Sequence, residues 1–391
     1  MRCVNRTPVA VLIALTRAAC GGSEGGAPST LDIVRGDSAV FVPVEMLGPV
    51  DTMIGAIRSM ANAPSGYWAA VSGSAQLALF HADGSPQAHL LSRGNGPDQA
   101  NGVGHVDSDD DGNAIIWDGR NSRLLRVTPA GAVEIIRTGE DWAGNLGESP
   151  RQSVGGTQLG IAVVKGGVVA AVVPGRLRDA SDYSRMTLIL DTGNGRRALL
   201  SFEKTLAWLD SLQPKKPMRR PFPLWTRCGR EKLAIYDPRT QSASQLDLTG
   251  RVLKTWPVPK APVPLSEREV RLFAFHQVRI MAPAMVSDPE LRQMVLSAPA
   301  QAIEPFATLA PAYSSIQCTS SGTILLQRFE VSDRRASGTE FWDVVGDSTL
   351  PKVFRLPANF KLRIAGDTLL VGVVSDLMDV PHIGVGRWPG H

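Results

Sequence analysis

The chain has 391 residues, 43% of them hydrophobic and 20% charged, with 38 Gly, 28 Pro, four Cys and six His; these are globular proportions for one large domain or two ordinary ones, and they exclude long-range disorder and fibrous repeats. No apolar run reaches the roughly 18 residues that a spanning helix needs. The formal charge of +4 includes Arg2, Arg6 and Arg17 in a stretch read as a removed leader, which leaves 38 basic against 37 acidic residues, so bulk electrostatics gives no case for nucleic acid or an anionic membrane as partner.

Residues 1 to 20, MRCVNRTPVAVLIALTRAAC, open with two arginines, pass through an apolar stretch from Val9 to Leu15 and end on small residues before Cys20. That is the three-part plan of an export signal. Ala18, Ala19 and Cys20, followed by Gly21, Gly22 and Ser23, resemble the lipobox of bacterial lipoproteins, which implies Cys20 as the acylated N-terminus. Arg17 stands where a lipobox usually carries an apolar residue, so ordinary signal cleavage is the alternative. Residues 21 to 30, GGSEGGAPST, can bury little and suit a flexible tether.

From residue 31 onward, short runs rich in Val, Ile and Leu alternate with turns containing Gly, Asp, Asn or Pro, an all-β signature. Six times a turn residue leads into an apolar strand: Gly66 into YWAAV, Gly112 into NAIIW, Gly167 into VVAAVV, Arg230 into EKLAIY, Gly322 into TILLQ and Gly366 into DTLLVGVV. In most units a second strand, a turn and a third strand follow, as in SRLLRVTPAGAVEIIR at 122 to 137. The starts lie 46, 55, 63, 92 and 44 residues apart. A period near 45 with insertions predicts a six-bladed β-propeller over 31–391, each unit one four-stranded blade that must stack on its neighbours. The sixth unit ends on HIGVGRW at 382 to 388, one strand short, and residues 31 to 44, LDIVRGDSAVFVPV, are predicted to supply the missing strand and hide the open edge. Between about 257 and 312 the pattern turns helical. Ser266 and Glu269 are spaced as a capping box ahead of Val270, Phe273, Ala274, Gln277 and Val278, and Asp288 with Pro289 starts a second short helix through Leu291, Met294 and Val295. This insertion is expected over one mouth of the ring or along its rim.

Residues 94 to 137 resemble an NHL-type blade on Gly96 and Pro97, the Asp111–Gly112 turn, and Asp118, Asn121 and Arg123. More broadly the chain resembles the six-bladed β-propeller lipoproteins of bacterial envelopes (NHL/TolB-like), whose last blades carry features matched by Trp342, Asp343, Leu356, Pro357, Phe360, Gly372 and Val373. The resemblance covers most of 31 to 389. It implies a fold and an envelope address, outer membrane or cell surface, but no activity, because propellers host many.

Several residue groups admit a chemical and a structural reading. Asp107, Asp109, Asp111 and Gly112 spell DxDxDG, the opening of a calcium loop, but the ninth loop position is Ile115 and the twelfth is Asp118 in place of Glu; the alternative is a solvated hairpin turn. Cys228 and Cys318 occupy nearly equivalent places on neighbouring blades, either as a disulfide pinning the base of the insertion or as two buried thiols. His105, on a predicted inner strand beside Asp107, is a channel-lining or structural histidine or else a channel ligand, and no second histidine matches it. Trp68, Trp117, Trp225 and Trp342 are expected at the seams between blades. Lys215, Lys216, Arg219 and Arg220, broken by Pro217 and Pro221, read as an exposed loop or a polyanion contact.

No Gly-x-Ser-x-Gly elbow, phosphate loop or HExxH helix occurs, and no catalytic residue is assigned. The reading favoured by the sequence is an exported, lipid-anchored monomer that acts as a non-catalytic binding or scaffold module for a protein or glycan partner, without a cofactor apart from the calcium loop just described. The alternative is a channel-centred metal-dependent hydrolase or lactonase.

Overall fold

A computed structural model describes residues 39–47, 56–72, 75–138, 148–150, 160–174, 186–205, 223–281, 288–299, 309–329, 339–346, 351–376 and 380–388. Two short strands, β1 (Val40–Phe41) and β2 (Val44–Leu47), precede six antiparallel blades. Blade 1 is β3 (Ile57–Ala63), β4 (Gly66–Val71), β5 (Ala75–His81) and β6 (Pro86–Ser92). Blade 2 is β7 (Val103–Ser108), β8 (Ala114–Asp118), β9 (Arg123–Val127) and β10 (Val133–Thr138). In blade 3, β11 (Glu148–Pro150) and β12 (Ile161–Val164) share one edge of β13 (Gly167–Pro174), and β14 (Thr187–Asp191) and β15 (Arg196–Ser201) follow on the other. Blade 4 is β16 (Leu224–Cys228), β17 (Lys232–Asp237), β18 (Ser242–Asp247) and β19 (Val252–Pro257). After the insertion come blade 5, β22 (Tyr313–Cys318), β23 (Ile324–Arg328), β24 (Thr339–Val345) and β25 (Val353–Pro357), and blade 6, β26 (Phe360–Ala365), β27 (Leu369–Ser375) and β28 (Pro381–Arg387).

The first strand of each blade neighbours the first strand of the next, and β26 returns to β3, so the ring is closed. Each turn-led run of the sequence is the second strand of a blade: β4, β8, β13, β17, β23 and β27. These strands are covered on both faces, which is why they read as continuous apolar runs; all five residues of β8 are buried. The core is divided into six apolar clusters, one per seam. Trp68, Trp117, Trp225 and Trp342 are buried in four different seams, where each large ring bridges two sheets. The last seam holds Ile57, Met60 and Phe80 of blade 1 against Val371, Val373 and Ile383 of blade 6.

The N-terminal segment closes blade 6, but not over the expected residues. The closing strand is β2, antiparallel to β28 with Val44 opposite Gly386 and Leu47 opposite Ile383, whereas β1 pairs parallel with β25 of blade 5, Val40 opposite Phe354. Residues 31–38 lie outside the described residues. Between the two pairings Val42 is fully buried in the seam of blades 5 and 6, and Pro43, with no N–H to give a ladder, marks the crossing.

The NHL-like turn of blade 2 is a closed polar network. Buried Asp118 accepts the Asn101 N–H at 2.8 Å, Asn121 Nδ2 at 2.7 Å and Arg123 Nε at 2.9 Å, while the Arg123 guanidinium also donates to the Gly96 carbonyl at 2.7 Å.

The insertion joins the ring through a two-strand neck, β20 (Val263–Pro264) with β21 (Leu309–Ala310), and contains α1 (Glu267–Met281) and α2 (Asp288–Ser297). Ser266 and Glu269 form the expected capping box, the Ser266 N–H donating to Glu269 Oε2 at 2.9 Å and the Glu269 N–H to Ser266 Oγ at 3.3 Å. Val270, Ala274, Phe275, Leu291 and Val295 make a small core between the two helices.

Candidate functional site in the central channel

The six first strands surround a cavity of about 610 Å³. Its wall includes Arg58 and Ser59 from β3, His105 and Asp107 from β7, Trp225 and Arg227 from β16, Gln317 from β22 and Arg363 from β26, together with the glycines Gly104, Gly160, Gly229 and Gly366. Small residues are needed where the strands crowd the axis: a Cβ on Gly160 would meet the His105 ring at 3.0 to 3.2 Å.

Asp107 is the one carboxylate of the wall among the described residues, and three partners engage its oxygens. Oδ1 accepts the Ser108 N–H at 2.8 Å and pairs with Arg227 Nη2 at 2.7 Å, and Oδ2 accepts the Val163 N–H at 2.8 Å. One buried side chain thereby ties blades 2, 3 and 4. His105 Nδ1 is 3.2 Å from Ser59 Oγ on blade 1. Burial holds the imidazole below its ordinary pKa; Asp107 pulls the other way, and Arg227 and Arg363 push further down. His105 is therefore neutral near pH 7.

The wall formed by blades 4 to 6 differs in one respect. Among the described residues, five buried side-chain polar atoms lack a hydrogen-bond partner, and three belong to this cavity: Trp225 Nε1, Gln317 Nε2 and Arg363 Nε. All three are N–H donors. Tyr236 and Trp342, which carry the other two, lie in the seams. Burial pushes the Arg363 guanidinium down, and Glu340 alone opposes it. Glu340 is itself engaged by Lys361 Nζ and by Gln327 Nε2 at 2.6 Å, so it does not neutralise Arg363 by direct pairing.

The residues singled out in the sequence are thus scattered over different tasks. Asp107, Asp109 and Asp111 do not converge on a calcium site. Asp107 faces the channel; Asp109 caps the hairpin, accepting the N–H groups of Asp111 at 3.1 Å and Asn113 at 2.8 Å and pairing with Arg126 at 3.2 Å; Asp111 is exposed. Asp107 lies within β7, whereas Asp109 and Asp111 lie beyond its end at the hairpin turn, and no group of three or more His, Cys, Asp or Glu among the described residues is placed to hold a metal. Cys228 and Cys318 form a disulfide with Cα atoms 5.1 Å apart. It does not sit at the base of the insertion. Both cysteines end their first strands, whereas the insertion joins the other end of β22, beyond Tyr313; Cys318 lies instead on the channel wall. Cys20 and the cluster Lys215, Lys216, Arg219 and Arg220 lie outside the described residues.

The sequence reading missed Ser59, Arg227, Gln317 and Arg363. The available signal was positional: IRSMANA, LWTRC and FKLRIA, each the first strand of its blade, carry an arginine inside an otherwise strand-like run.

The closed ring of six blades makes this protein a six-bladed β-propeller. No protein-family model matches the chain, and no curated protein matches it in sequence. Among solved structures it is similar to a member of the DUF4221 family from Bacteroides vulgatus, with 9% identity over 90% of this chain and 98% of that one and a TM-score of 0.54. A protein of Bacteroides fragilis predicted to be exported matches with 10% identity over 91% of this chain and 97% of its own, TM-score 0.50. A gluconolactonase from Xanthomonas campestris covers 89% of this chain and 90% of its own at 10% identity, TM-score 0.43. At these identities the likeness is one of fold.

Proposed function

We propose that the protein is an exported, lipid-anchored propeller of the cell envelope that acts by binding a ligand in its central channel and does not hydrolyse it. The observation that carries this reading is the donor set of the channel wall. A divalent cation of the hydrolytic propellers needs several oxygen ligands free to coordinate it. Here Asp107 is the single carboxylate among the described residues of the wall, both its oxygens are engaged, by Arg227 and two backbone N–H groups, and arginines stand beside it. These residues do not fit a catalytic divalent cation. They suit recognition through hydrogen bonds and charge. Export is supported by the leader at residues 1–20 and by the Cys228–Cys318 disulfide, a bond that persists in oxidising compartments.

The test is metal analysis of the purified mature protein together with a screen of ester and lactone hydrolysis with and without chelator. No chelator-sensitive turnover is expected; stoichiometric metal with turnover that chelator abolishes overturns the binding reading. Mass spectrometry of the mature N-terminus is expected to find acylated Cys20, and any other start removes the anchor.

A further inference from the structure

We infer that the channel is a seat for an organic oxyanion, a carboxylate or phosphate compound of sugar size, gripped by Arg363. This rests on the reading that the ligand binds in the channel. The cavity of about 610 Å³ falls within the roughly 300 to 1,000 Å³ of small-molecule sites. Its charges do not cancel: Arg227 is matched by Asp107, and Lys361 takes Glu340, but neither Arg363 nor Arg58 has an ion-pair partner among the described residues. Arginine keeps its charge even when desolvated, and its planar fork matches the two oxygens of a carboxylate or phosphate.

Arg363 and Arg58 stand on the cavity wall, where an anion supplies the countercharge that the wall lacks. A cation would instead meet two unneutralised guanidinium groups, and a wholly apolar ligand would leave both without a countercharge. Trp225, buried at the wall, offers a fluorescence signal on binding.

The experiment is calorimetric titration of the purified protein with glucuronate, glucose 6-phosphate and glucose, three probes of similar body that differ in charge group, at low and high salt. One or both charged sugars are expected to bind, more weakly at high salt, and glucose is not. Whichever charged probe binds identifies the oxyanion as carboxylate or phosphate. Arg363→Gln is expected to weaken binding by about 30-fold or more, as for truncation of a desolvated charge partner, with Arg363→Lys falling between. Arg58→Gln, on an exposed part of the wall, tests the charge where folding is not at stake and is expected to weaken binding several-fold. Glucose binding as well as the charged probes, wild-type affinity in both Gln variants, or no binding by either charged probe each overturns the oxyanion assignment. None of these results bears on hydrolysis, which is judged by chelator-sensitive turnover alone.

Discussion

The two parts of the channel wall, blades 1 to 4 and blades 5 and 6, are both built from the first strands of their blades, yet they are wired differently. On blades 1 to 4 the buried side chains of the channel are partnered apart from Trp225 Nε1: Ser59 with His105, and Asp107 with Val163 and Arg227. On blades 5 and 6 the rim is tied, with Asp367 accepting the Ser321 N–H at 3.0 Å, but in the wall Gln317 Nε2 and Arg363 Nε are buried without a hydrogen-bond partner. Burial is common to both halves, and satisfaction separates them. A saturated buried network holds the structure, whereas an unsatisfied buried donor costs stability.

The sharpest way to break this contrast is Asp107→Ala, which strands Arg227 and the Val163 N–H together and is expected to cost about 3 kcal/mol in urea unfolding. A cost near zero would mean that the first half is no more structural than the second. The Cys228–Cys318 bond, at the border between the halves, closes a loop of 90 residues; replacing both cysteines by Ser is expected to cost up to ~4 kcal/mol in the chain-entropy model. Hydrogen exchange should then rise at the ends of β16 and β22 before it rises in α1 and α2, and the reverse order would return the bond to the insertion. Arg363→Met should leave stability within ~1 kcal/mol of the parent, because it removes a charge that has no partner; a loss like that of Asp107→Ala would make Arg363 structural. The smallest expected effect is that of pH. His105 is depressed in the folded state chiefly by burial, so the unfolded chain takes up its proton first as pH falls through about 6.5. Stability is full above that value and declines below it, and His105→Gln should flatten that slope.

The legible part of the molecule was what neighbours cover on both faces. β8 and β27 are apolar along nearly their whole length because sheets sandwich them, and six such runs sufficed to count the blades. Ser266 and Glu269 marked α1 because a capping box is local chemistry. The channel was illegible for the opposite reason. Arg58, Arg227, Gln317 and Arg363 come from segments that meet only when the ring closes, and an arginine within a strand run reads as surface until the axis is known. The closing strand was misplaced by a few residues because Val40, Val42 and Val44 look alike in sequence, although one pairs with blade 5, one fills the seam and one begins the pairing with blade 6.

The pairing of β2 with β28 also sets an order in time. Val44 meets Gly386 across 342 residues of chain, so at about 5 to 20 residues per second of synthesis the first strand waits roughly 20 to 70 s for its partner. Until then the sixth sheet ends on an unpaired edge and the ring is not latched at its outer strands. A message truncated before the codon for residue 381 would yield an open arc of blades, so that making the last strand is what turns a string of sheets into a vessel.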